Sequence, residues 1–64
     1  MTAIQQKIEE NYIENASVWE EVWEGDLAVN EAMDYLRVDE DDPLSDRLRF
    51  CLTHGVNPLT HSVE

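Results

Sequence analysis

The sequence predicts an all-α protein: a small three-helix domain with a long first helix, paired into a helical homodimer. Three observations carry that expectation. Residues 2–24, read at helical pitch, put Ile4, Ile8, Tyr12, Ala16, Trp19, Val22 and Trp23 on one stripe. Two shorter segments, residues 27–38 and 43–54, show apolar spacing between residues that start and stop helices. Nowhere do apolar and polar residues alternate over the length of a strand. Residues 1–56 thus read as a single helical domain and residues 57–64 as a short C-terminal tail, expected to be partly frayed.

The first helix starts at Thr2, a capping residue with Gln5 three positions on. Its apolar stripe stays within an arc of about 120°. Glu10, Glu14, Glu21 and Glu24 lie on the opposite side. Asn15 interrupts the buried side, and Ser17 with Glu20 forms a second capping box, so a break near residues 15–17 competes with a continuous helix. The unbroken stripe favours the continuous form. Such a helix is ~34 Å long, whereas a folded chain of this size has a diameter under ~30 Å. The helix would overhang, and a second copy would cover the excess. Ile13 and Val18, on the flanks of the stripe, would then touch the partner copy, with Asn15 near the seam fixing register. The interface candidates are Ile8, Tyr12, Ile13, Asn15, Val18, Trp19, Val22 and Trp23. The aromatic ladder Tyr12, Trp19, Trp23 reads first as core, and otherwise as an interface hot spot.

Gly25 ends the first helix by taking the left-handed conformation, and Asp26 can cap the next. On that second helix Val29, Ala32, Met33 and Leu36 face inward, with Ala28 and Tyr35 at the margin. Asp39, Glu40, Asp41 and Asp42 form an acidic connector. A calcium loop is disfavoured there, because Pro43 and Leu44 fall where oxygen ligands are required. Asp42 caps the third helix, Pro43 sits in its first turn, and Gly55 stops it. Leu44, Leu48, Cys51 and Leu52 share its inner face, and Val56 can fold back on the last turn. Phe50 points outward and joins the interface candidates. Arg47 and Arg49 are expected to answer the acidic connector or the acidic helices.

Composition narrows the function. Fifteen acidic residues face four basic ones, a net charge of −11, and no basic residue occurs between Lys7 and Arg37. Such a field repels phosphates and anionic membrane surfaces, so direct nucleic-acid or membrane binding is not expected. Basic proteins are the natural partners. The acidic partner-facing candidates are Glu10, Glu14, Glu21, Glu24, Asp39, Glu40 and Asp41. Simple solubilisation by charge is the competing explanation. No apolar run is long enough to span a bilayer, no secretory signal is read at the N-terminus, and a lone thiol fits the cytoplasm. A domain of this size is marginally stable by itself, a second reason to expect a partner chain.

Neither a cofactor nor a metal is expected. Cys51, His54 and His61 are the only soft ligands, one short of the usual structural zinc set. A Cys–His nucleophile needs positive surroundings that this sequence does not supply. A metal-dependent or thiol enzyme is therefore the last of three readings. The second is a nucleic-acid mimic blocking a basic DNA- or RNA-binding site. Against it, the acidic row on one helix is sparser than duplex phosphates.

The compact length, the acid-rich helix IEENYIENASVWEEVWEG and the absence of active-site residues give a resemblance of general type. The chain resembles the small acidic accessory proteins encoded in the early regions of temperate, lambda-like phages. The resemblance implies a modulator of phage or host development, and it carries over no functional residue. The reading from the residues is a noncatalytic, acidic, protein-binding regulator.

Overall fold

Four helices stand where three were expected. The computed structural model describes residues 3–62, and within them the order is α1 (Ala3–Glu14), α2 (Ala16–Trp23), α3 (Val29–Leu36) and α4 (Pro43–His54), with no strand. The all-α class holds. The expected Thr2 cap lies outside the described residues.

The continuous first helix is corrected to a pair, α1 and α2, bent at Asn15. Only that residue leaves the helical conformation, with φ −124° and ψ 30°. The ladder survives around it. The Asn15 N–H donates to the Asn11 carbonyl at 3.0 Å, and the Asn15 carbonyl accepts from Val18 at 2.9 Å and Trp19 at 3.2 Å. The cause lies in the side chain: Asn15 Nδ2 also donates to the Asn11 carbonyl, at 3.0 Å. Short amides that bond nearby backbone in this way compete with regular helix. The second capping box is not the cause. Ser17 lies exposed inside α2, and the cap position belongs to Asn15.

Gly25, at φ +88°, ends α2 as expected. Its N–H donates to the Val22 carbonyl at 3.1 Å, and the Asp26 N–H donates to the Glu21 carbonyl at 2.9 Å. These paired bonds are the Schellman arrangement. Asp26 does not cap the next helix, because α3 begins only at Val29. Ala28 takes the cap position without a side-chain bond, and α3 is shorter than the predicted 27–38.

α3 ends on Arg37 in the left-handed region, at φ 56° and ψ 45°. It is the one non-glycine residue with positive φ among those described. A Cβ in that conformation costs roughly 1–2 kcal/mol. Part of this is recovered by glycine, whose own flexibility costs about 0.5–1 kcal/mol. Arg37→Gly is expected to raise the melting temperature by a few degrees. A fall in a thermal melt would mean that the arginine side chain stabilises the fold by more than its backbone strain costs.

α4 matches its prediction at both ends. Asp42 Oδ1 accepts from the Leu44 N–H at 3.0 Å, and Pro43 occupies the first turn. Gly55 takes φ +68°, and the Val56 N–H folds back to the Cys51 carbonyl at 3.0 Å. The core comprises Ile8, Trp19, Ala32, Met33, Leu36, Leu48, Cys51 and Leu52. α2 and α4 each pack against all three other helices, so the centre of the fold is shared between them.

Residues 57–62 of the tail pack in a turn where partial fraying was expected. Pro58 is fully buried, and its carbonyl accepts from Gln5 Nε2 on α1 at 3.0 Å. Asn57 organises the turn: its Oδ1 accepts from the Leu59 N–H at 2.8 Å, and its carbonyl accepts from Thr60 and His61, both at 3.1 Å. The folded chain has a radius of gyration of 10.5 Å and extents of 31 × 26 × 19 Å. With the first helix bent, the overhang that called for a second copy is gone.

Candidate interaction surface

The aromatic ladder turns inward and builds core. Tyr12 and Trp19 meet edge to face with centroids 5.2 Å apart, Trp19 and Trp23 do so at 5.8 Å, and Tyr12 lies 5.6 Å from Trp23. The bend at Asn15 carries Trp19 into the interior, where nothing of it is exposed. Its indole N–H donates to Asn11 Oδ1 at 3.1 Å. The Trp23 indole N–H donates to the Cys51 carbonyl at 3.4 Å, tying α2 to the end of α4. A buried indole needs such a partner, and both have one.

The interface candidates accordingly divide. Ile8 and Trp19 are buried within the chain and present nothing to a partner. Tyr12, Val18, Val22 and Trp23 are half-buried and pack on the same core. Asn15 is half-buried and engaged with Asn11. Only Ile13, 64% exposed, and Phe50, 48% exposed, stand outside. Phe50 is not solitary, since its ring lies 4.6 Å from that of His54. Two further exposed apolar side chains were missed, Tyr35 and Leu59. Tyr35 gave a usable signal, lying at the edge of its helix's inner face. Leu59 gave none, because the shape of the tail depends on contacts with α1.

Glu10, Glu14, Glu21, Glu24, Asp39, Glu40 and Asp41 are all exposed. They do not form one straight row. Glu10 and Glu14 belong to α1, whereas Glu21 and the C-cap Glu24 follow the bend. The single-helix row, already sparser than duplex phosphates, is interrupted at Asn15. The arginines also behave differently from expectation. Arg49 Nη1 donates to the amide oxygen of Asn30 at 2.6 Å, joining α4 to α3, where a carboxylate partner was foreseen.

Two concavities among the described residues bear on function. A groove of about 300 Å³ lies between α1 and the tail, lined by Gln5, Glu9 and residues 58–62. A cleft of about 310 Å³ lies where α3, the acidic connector and α4 meet. Asp34, Glu40, Asn30, Ser45 and Arg49 supply its polar lining, and Met33 and Val38 its apolar wall.

Cys51 is a core residue with no exposed surface. Burial pushes its thiol pKa up, partly offset by a backbone hydrogen bond. His54 leans on Phe50, and among the described residues no three His, Cys, Asp or Glu side chains are grouped to hold a metal. The thiolate is the form that attacks a thiol reagent, and here both charge and access are withheld. Labelling of Cys51 is expected to be slow in native buffer and to accelerate with urea in step with the loss of helical circular dichroism. Rapid labelling of the folded protein would show an opening that exposes α4 without unfolding.

No helix among the described residues is long and apolar enough to cross a membrane. No family model, curated protein or solved structure matches the chain.

Proposed function

We propose that this protein is a noncatalytic, acidic, protein-binding regulator acting in the cytoplasm on a basic partner. One observation carries the reading: the seven named carboxylates are all exposed, while the aromatic stripe is spent on the core. The outer surface therefore offers a partner negative charge, with single apolar side chains between. Complementary charge of this kind raises association rates and rejects wrong partners more than it adds raw affinity. In keeping with the type the sequence resembles, the process acted upon would be phage or host development. Self-association remains part of the proposal on narrower ground, the exposed Ile13 on α1 and Tyr35 on α3.

The test is affinity capture from cell lysate, comparing the parent with a variant carrying Glu10→Gln, Glu14→Gln, Glu21→Gln and Glu24→Gln. The expected result is a basic protein held by the parent at low salt, weakened by salt, and lost by the variant. Identical capture by both would assign the acidic helix faces to solubility alone. Sedimentation equilibrium decides the state of association, and a single 7.4 kDa species at all concentrations removes self-pairing.

A further inference from the structure

We propose that the cleft between α3, the acidic connector and α4 receives a lysine or arginine side chain of the basic partner; this rests on the function proposed above. The lining carries both halves of what such a side chain needs. Met33 and Val38 offer an apolar wall for the methylene stem, since lysine and arginine lay their stems on apolar surface and keep the charged head near water. Asp34 and Glu40, both exposed, supply two carboxylates for the head, against the single guanidinium of Arg49. Arg49 lines the same cleft, its Nη1 held by the Asn30 amide oxygen at 2.6 Å. Its single positive charge is outnumbered by the two carboxylates, so the lining keeps a net negative charge for an incoming cation.

Ser45 distinguishes this cleft from a mere concentration of charge. It lines the cleft and is only 4% exposed. Its backbone N–H is satisfied by the Asp42 carbonyl at 2.9 Å, while its hydroxyl has no hydrogen bond to any described residue. Among the described residues no buried side-chain oxygen or nitrogen is both fully covered and unpaired, so the Ser45 hydroxyl keeps some exposed surface. A hydroxyl oxygen accepts from ammonium or guanidinium N–H as readily as from water. A cleft near 300 Å³ is at the small end of ligand-binding cavities, a size suited to one side chain and not to a large cofactor.

The experiment titrates the full chain with a lysine-rich decapeptide, observed through backbone amide chemical shifts, with a glutamate-rich decapeptide as control. Shifts should concentrate at Asn30, Met33, Asp34, Glu40, Ser45 and Arg49. Asp34→Asn with Glu40→Gln should weaken binding by up to about fivefold per carboxylate. Ser45→Ala, which leaves the net charge untouched, should weaken it by about fivefold. Glu20→Gln with Asp26→Asn removes the same charge at two exposed carboxylates outside both the cleft and the named acidic set, and should have a much smaller effect. Equal loss from the two charge variants, or no loss from Ser45→Ala, overturns the cleft as the site while the acidic-regulator reading stands. Failure of the basic peptide to bind anywhere overturns both.

Discussion

Trp19→Ala is expected to leave the protein largely unfolded in plain buffer. Trp19 is the largest of the fully buried side chains and is wholly enclosed. It forms the inner side of the bend, contacts Tyr12 and Trp23 through ring faces and edges, and satisfies Asn11. Truncating a buried tryptophan to alanine costs about 3–5 kcal/mol in lost transfer energy and cavity formation. A single core of this size rarely supplies more than ~3–5 kcal/mol in total. The two quantities are equal, so little helical signal should remain by circular dichroism. Trp19→Phe keeps most of the apolar volume and loses the indole N–H, leaving Asn11 Oδ1 to water. It should retain a cooperative urea transition at reduced midpoint. A Trp19→Ala variant within about 1 kcal/mol of the parent would show that the core is built elsewhere.

Ile8→Ala separates two placements of the same residue. In the seam of a homodimer, its loss would appear as dissociation, and raising the protein concentration would restore the fold. In the core of one chain, where the structure puts it with no exposed surface, the cost is about 2–5 kcal/mol and does not depend on concentration. The expected result is the second. Urea midpoints measured over a hundredfold range of concentration decide it, and a midpoint that climbs with concentration would return Ile8 to an interface.

The contrast between these placements shows where sequence reasoning reached its limit. A stripe at helical spacing states that a face is covered and is silent on whether the same chain covers it. Ile8 and Trp19 were therefore legible as buried and illegible as core or seam. The ends of α4 were read correctly because Asp42, Pro43 and Gly55 act within one turn of themselves. The break near Asn15 was weighed and set aside because a helical period is hardly disturbed when one residue leaves the helix. Asp26 was misread because the turn that closes α2 takes up two more residues, and the cap position of α3 falls on Ala28. The tail was beyond local reasoning altogether: the Gln5 bond to Pro58 joins positions 53 apart. The acidic surface was legible residue by residue, since charged side chains rarely bury. The cleft was not, because Asn30, Glu40 and Ser45 meet only after α3 and α4 have packed.

The single-residue bend also governs how the chain can come apart. It divides the predicted long helix into pieces of 12 and 8 residues, beside an α3 of 8 and an α4 of 12. Isolated helices shorter than ~12–15 residues are marginal in water even with favourable sequences. None of the four can hold its own shape once its neighbours leave, and α2 and α4 are neighbours to everything. Unfolding therefore has no stable halfway stage. The protected amide hydrogens of α2 and those of α4 should exchange with solvent through one and the same opening, at one free energy. A protease in the cell would meet this protein either whole or fully open.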